Sequence, residues 1–301
     1  MYPIRELRAR RVVLQELAGM DPEVDHERMV ALMFGRVFPD AFFHEALLTV
    51  AFQRQVSIAT MAPIIARRGR GDTLRNTRKR INDTELFFGF MYRDGHSSHG
   101  ARMTIQRLAA IHHQFDIVYD DYRYAIASAI YESVRIPKLL GLTALTEREF
   151  RAVFLFWTGV GEAFGLEIPE DQEAFGVWFE DYEARTMART DDAIQVARAL
   201  RNCFLDRFAP GPFRPLGEQV LRALADDRLR ECVDLPPATA AGKRLTALGI
   251  GAYLKARRLI PGPLREDNLS RPWSASYGEG VPDPSVVGPA WAKDIHAPAH
   301  T

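Results

Sequence analysis

The chain has 301 residues, 47% hydrophobic and 26% charged, which is enough apolar material for a large buried core. Lysine plus arginine equals aspartate plus glutamate at 39 each, so no net field draws the chain to phosphate backbones or anionic lipid, and nucleic acid is excluded as an expected partner. Cys203 and Cys232 lie far apart and outside any CxxC pattern, which argues against a disulfide framework and against a zinc or iron–sulfur site, and makes a reducing cytoplasm the expected setting.

The N-terminal stretch MYPIRELRARRVVLQELAGM is basic, interrupted by charges, and lacks an apolar h-region with a small-residue cleavage site. It reads as a helical extension over 1–24, not as a secretion signal. Nowhere do about 18 apolar residues run uninterrupted, so no transmembrane segment is expected and the protein reads as soluble. Helical periodicity dominates the chain from residue 25 onward, which makes the expected fold class all-α, with one helical domain over 25–265. A first helical region is predicted over 26–66, broken near Pro39, with the stretch ALLTVAFQRQVSIATMAPIIA largely buried. The basic run 67–80 reads as a loop entering a helix of about 73–92, which the Asp94-Gly95 turn ends. After the connector HSSHG a helix is expected over 101–115, and YDDYRYAIASAIYESVRIPKLLG supplies another that Pro137 bends or ends. Thr146 and Glu149 have capping-box spacing and open a helix that ends at Gly165. Further helices are predicted over 170–187, 190–207, 214–232 and 237–259, the last started by Pro236 and Pro237. Beyond Pro261 the chain turns rich in proline, glycine and serine, which predicts an extended or partly disordered tail over 266–301, laid over the domain.

Ile105, Leu108, His112 and Phe115 recur at helical spacing, so His112 sits within an apolar stripe. On this pattern alone the simpler reading is a core histidine satisfied by a hydrogen bond; the other is a neutral imidazole binding haem iron from an apolar wall. His113 lies about 100° round the same helix and faces elsewhere. On the preceding helix Arg80, Asp83 and Thr84 share one face beside Phe87 and Phe88. That group reads either as a surface ion pair with a solvated threonine, or as a cation and a hydroxyl set to meet haem propionates or iron-bound oxygen. His96 and His99 have metal-ligand spacing, but the connector supplies no convincing third ligand. The pairs Asp120-Asp121, Asp191-Asp192 and Asp226-Asp227 look like caps and solvated ends, because adjacent helical residues do not face each other. No GxSxG, P-loop or GxGxxG between strand and helix is present, so hydrolase and nucleotide-binding readings find no support.

The stretches RKRINDTELFFGF, HSSHGARMTIQRLAAIHHQFDIVYDDYRYAI, LTALTEREFRAVFLFWTGVGEAFGLEIPEDQEAFGVWFEDYEARTM and LADDRLRECVDLPP together resemble the mpaB-type oxygenases and the bacterial rubber oxygenases known as latex-clearing proteins. The resemblance spans about 25–265 in order. It implies an all-helical fold with a globin-like core around non-covalent haem b, and oxidative cleavage of C=C bonds in isoprenoid chains by dioxygen. It implies that His112 is the proximal iron ligand and that Arg80 and Thr84, as an RxxxT element, line the distal haem pocket. Tyr124 is implied to lie at the haem, packing over the porphyrin or donating a hydrogen bond to it.

Two departures alter that picture. Related rubber oxygenases can carry a distal lysine ligand immediately before the threonine, where this chain has Asp83, so an open or water-bound distal position is expected. Many relatives have a threonine or histidine where this chain has Ala125 and Ile126, so a distal polar contact is expected to be missing. The fungal relatives carry an N-terminal membrane anchor for which no counterpart is read here. The leading expectation is therefore a haem-dependent oxygenase of an apolar or isoprenoid substrate. The alternatives are a non-catalytic haem sensor, store or transporter, and a tailoring oxidase or peroxygenase of a small natural product.

Overall fold

The computed structural model describes residues 4–259, 276–278, 282–292 and 295. Over these residues the expected all-α class holds, with fourteen α-helices, no strand, and one isolated antiparallel bridge between Ile58 and Met187.

Local chemistry sets most helix ends. α1 (Ile4–Gly19) and α2 (Pro22–Leu32) are parted at Asp21, whose carboxylate accepts from the Glu23 backbone N–H while Pro22 occupies the first helical position. α2 runs on as a π-helical turn, Met33–Val37, and the chain breaks around Pro39 before α3 (Ala41–Gln55). After α4 (Met61–Ala66) and α5 (Asp72–Arg75) comes α6 (Thr77–Asp94), closed by Gly95 at φ +76°, a conformation glycine tolerates freely. The Ser98 hydroxyl then accepts from the Ala101 N–H at 3.1 Å and opens α7 (His99–His112). With so short a connector, α6 and α7 pack as an antiparallel hairpin. α8 (Tyr119–Leu139) keeps Pro137 inside its last turn and stops two residues later. The expected capping box opens α9 (Glu147–Ala163), with Glu149 N–H donating to Thr146 Oγ1 at 3.3 Å and Thr146 N–H to Glu149 Oε2 at 2.8 Å. α10 (Gln172–Thr186) and α11 (Asp191–Phe208) are capped by Asp171 and Thr190.

Four expected helices are corrected, the first being that of about 73–92, which Asn76 divides into α5 and α6. The region 26–66 has a second break after Gln55, where Ala59 N–H donates to Thr186 O at 3.0 Å and Ala188 N–H to Ser57 O at 2.9 Å. These bonds satisfy backbone that would otherwise need helical partners. The stretch 214–232 is two helices, α12 (Arg214–Ala223) and α13 (Asp227–Cys232), because Asp226 leaves the helix to cap α13 through Leu229 N–H at 2.9 Å. α14 (Ala240–Leu259) starts after Pro236 and Pro237, at Thr239, whose hydroxyl accepts from Gly242 N–H at 3.0 Å. The expected tail lies partly outside the described residues; within 282–292 it forms short 3₁₀ turns.

α9 packs against α2 and α8, and α3 against α8 and α11. One core is aromatic, with Phe154, Phe156, Phe175 and Phe179 fully buried; a second gathers Val50, Leu200, Phe204, Leu221 and Leu229. A buried ionic cluster joins the helices that carry both. Arg54 of α3, 0% exposed, pairs with Glu132 of α8 at 3.0 Å and Asp226 at 2.5 Å, and Arg135 of α8 pairs with Glu183 of α10 at 2.7 Å. No helix among the described residues is long and apolar enough to cross a membrane.

Candidate active site

The α6–α7 hairpin sets the last residue of α7, His112, beside the first turns of α6, which carry Arg80 and Thr84. All three line one cavity, walled by Leu48, Phe52, Phe87, Phe88, Met91 and Trp157. An adjoining cavity shares His112, Arg80, Phe52 and Phe87 and extends to Asp83, Ile64, Phe115, Gly288 and Trp291. The apolar segment 46–65 and the α6 aromatics are therefore on its walls.

The imidazole of His112 has a defined polarity. Its Nδ1 lies 2.8 Å from the Leu108 carbonyl, which can only accept, so Nδ1 carries the proton and Nε2 the lone pair. Nε2 has no hydrogen-bond partner among the described residues. The ring meets Tyr122 and Phe164 edge-on, each at 6.1 Å. Burial pushes its pKa down to about 4, with the nearby Arg80 charge adding to the depression, so it is neutral at pH 7. A neutral imidazole with one nitrogen oriented by a carbonyl and the other bare is the form in which histidine ligates transition metals. His113 is exposed, as its position round the helix implies.

Arg80 lies over the Phe52 ring at 5.3 Å and donates to the Thr84 hydroxyl, which itself donates to the Arg80 carbonyl at 3.1 Å. Burial lowers the Arg80 pKa, yet a guanidinium stays protonated at any physiological pH. Of the two readings of this group, the surface ion pair of Arg80 with Asp83 is not the one found. Asp83, 2% exposed, takes Lys79 Nζ at 3.0 Å on both oxygens and a hydrogen bond from Tyr277, because Lys79 stands one helical turn before it.

Tyr124 is not brought to this cavity. It is fully buried, donates to Glu183 Oε1 at 2.8 Å and stacks on Phe179 at 5.3 Å, so its hydroxyl belongs to the buried ionic cluster. Its neighbours Ala125 and Ile126 do line the cavity and offer it no polar group.

Sequence reasoning missed two arrangements. His96 meets His26 Nε2 at 3.1 Å and Glu27 Oε1 at 3.1 Å, a His/Glu/His group with ligand atoms within 4.8 Å of one another, while His99 is exposed and apart. The other two members lie far upstream, His26 by 70 residues with Glu27 beside it, where connector spacing carries no signal. The second is the tail. Lys79 Nζ donates to Gly288 O at 2.6 Å, Arg107 Nε to Val287 O at 3.3 Å and Trp291 Nε1 to Asp72 Oδ2 at 2.9 Å, so 287–291 closes one side of the His112 cavity.

Residues 40–256 match the family described as ER-bound oxygenase mpaB/B'/Rubber oxygenase, catalytic domain. The chain is 24% identical over 200 residues to the ER-bound oxygenase mpaB' of Penicillium brevicompactum, covering 61% of this chain and 47% of that protein. It is 25% identical over 154 residues to the ER-bound oxygenase mpaB of the same organism, covering 46% and 39%. The chain spans under half the length of either relative. The family match takes in α3 to most of α14, with His112, Arg80 and Thr84 inside it and the tail wall outside, and the chain belongs to the mpaB/rubber-oxygenase catalytic-domain family.

Proposed function

We propose that this chain is a haem b-dependent oxygenase that uses dioxygen to oxygenate or cleave a C=C bond in an isoprenoid-like or other apolar substrate, with the haem in a globin-like helical core. The observation that supports it is the bare, lone-pair-bearing Nε2 of a neutral His112 in an apolar cavity that also holds the Arg80 guanidinium. The family is one of oxygenases, which supports the reaction class.

The donor set suits such a group. His112 would hold the iron, its ring fixed by the Leu108 carbonyl. Arg80 offers fixed donors to an anionic oxygen or a propionate, and its contact with Thr84 holds that hydroxyl within the cavity. Haem, when bound, supplies the activation of dioxygen. The aromatic and aliphatic walls exclude water and favour an apolar substrate. Asp83 is committed to Lys79 and Tyr277, so it would supply no ligand to a bound haem.

The test is the absorption spectrum of protein expressed with haem supplied, for wild type and His112→Ala. A Soret band that is strong in wild type and lost or shifted in the variant supports the assignment, and oxygen uptake that depends on an added olefin supports the reaction. A wild type that takes up no haem removes the proposal. The apolar wall at Ala125 and Ile126 favours a second reading, haem sensing, storage or transport without turnover. Haem binding with no olefin-dependent oxygen uptake selects it.

A further inference from the structure

Next to the His112 cavity is another that the oxygenase reading leaves without a purpose. The two share Leu48, Phe88 and Ala129 as walls, so they are adjoining chambers. The second is lined by Phe34 and Tyr92 at one side and by Glu85, Ser128 and Glu132 at another. Glu85 lies one residue beyond Thr84 on α6, and Phe88 and Tyr92 follow it at helical spacing, so this face of α6 turns from the first cavity to the second.

Its polar atoms lack partners. Glu85, 6% exposed, has no hydrogen bond to either carboxyl oxygen, and neither the hydroxyl of the fully buried Ser128 nor Glu132 Oε2 has one. Buried polar groups are almost always paired, because one left unpaired has given up its hydration with nothing in return. Unpaired groups gathered on one cavity wall mark a place where something else completes them. Burial also pushes the Glu85 pKa up to about 9, so its carboxyl is a neutral acid at pH 7, able to donate one hydrogen bond and accept another.

Neither sign of charge suits the position. The arginines near Glu85, Arg78 and Arg207, are both held by Glu45, at 2.7 and 2.6 Å, and are not free to receive an anion. Glu45, whose charge already disfavours ionisation of Glu85, would disfavour an anion too. A cation beside Glu85 would in turn face those two guanidiniums. What fits is an uncharged group that both accepts and donates.

We propose that this second chamber binds the uncharged hydroxyl or carbonyl end of an elongated apolar substrate, through Glu85 and Ser128, while the apolar chain passes Leu48, Phe88 and Ala129 into the His112 cavity. This deepens the oxygenase reading and rests on it for the meaning of the far end of the chain. The chamber sets which part of the chain reaches the His112 cavity, so the polar end acts as a ruler.

The test is calorimetric titration of the full chain with decan-1-ol, decane and decylamine, for wild type, Glu85→Gln, Glu85→Leu and Ser128→Ala. Wild type is expected to prefer decan-1-ol to decane by about tenfold, the scale of a buried hydrogen bond that would otherwise go unmade. Glu85→Gln, which keeps a donor and an acceptor, should retain most of the preference, Ser128→Ala should reduce it, and Glu85→Leu should abolish it. Glu85→Leu removes an unpaired buried group and is expected to fold; Glu85→Gln reports on the site independently. No binding of decan-1-ol, equal binding of decanol and decane, tighter binding of decylamine, or a preference that survives in Glu85→Leu would each overturn the proposal. The haem spectrum is a separate readout. Alcohol preference without a Soret band keeps the chamber and removes the oxygenase, whereas a Soret band without alcohol preference does the reverse.

Discussion

His112 and Glu85 are buried groups held neutral by desolvation, and they bend the pH dependence of stability in opposite directions. In the unfolded chain the imidazole binds a proton near its ordinary pKa of 6.5, and in the native chain only near 4. Between those values the unfolded state holds more protons, so the stability His112 contributes is complete above 6.5 and is lost as pH falls toward 4. For Glu85 the native chain keeps its proton up to about 9 and the unfolded chain gives it up near 4.5. The native state then binds more protons, and stability is lost as pH rises from 4.5 toward 9. Glu85→Gln cannot ionise. It should therefore melt several degrees above wild type at pH 8 and converge with it near pH 4.5, as followed by circular dichroism. A gap that is the same at both pH values would mean that Glu85 is charged in the native protein. The position of His112 on an apolar stripe was legible in the sequence, and so was its need for a hydrogen-bond partner; that the partner is the Leu108 carbonyl, one helical turn back, comes from the structure. Tyr124 was not, because its hydroxyl is claimed by Glu183, 59 residues away, and no local pattern announces that.

At the level of elements, the starts of helices were legible and several of their breaks were not. Thr146 with Glu149 satisfies orphan N–H groups within one turn, so a short motif is sufficient to place α9. The break between α12 and α13 answers to a distant demand. Asp226 leaves the helix to cap α13 and, in the same position, receives Arg54 of α3 at 2.5 Å. The split is the local expression of a cluster that ties α3, α8 and α10 to this turn. Arg54 is fully buried with three acidic partners, and removing a single member of such a cluster leaves charge without compensation in the interior. Arg54→Met should therefore destabilise the fold by about 3–5 kcal/mol in urea denaturation. A loss below about 1 kcal/mol would show that Arg135 alone neutralises Glu132 and Glu183.

In the whole molecule, the His112 cavity is walled by segments far apart along the chain: α3, the α6–α7 hairpin, α8, α9 and the tail at 287–291. The family match ends at residue 256, so the tail wall is an addition to the matched domain. It is fastened at several points, by Lys79 to Gly288, by Arg107 to Val287 and by Trp291 to Asp72. Trp291 also meets Phe115 edge-on at 5.6 Å, with the Arg67 guanidinium 5.8 Å from the Trp291 ring. Each contact is modest, and Trp291 is 40% exposed, so its truncation leaves the core untouched. Trp291→Ala removes a lining side chain and one hydrogen bond, and should lower stability by no more than about 2 kcal/mol. The larger effect falls on access. A neutral imidazole is the form that reacts with diethylpyrocarbonate, and His112 is neutral throughout the usable pH range, so its modification rate reports how open the cavity is. Peptide-resolved mass spectrometry should find carbethoxylation of His112 several-fold faster in Trp291→Ala than in wild type, with exposed His113 and His99 unchanged as internal references. Equal rates at His112 would mean that the tail covers the cavity without controlling entry, and that the route in lies on the α3 and α4 side, past Ile64 and Ile65.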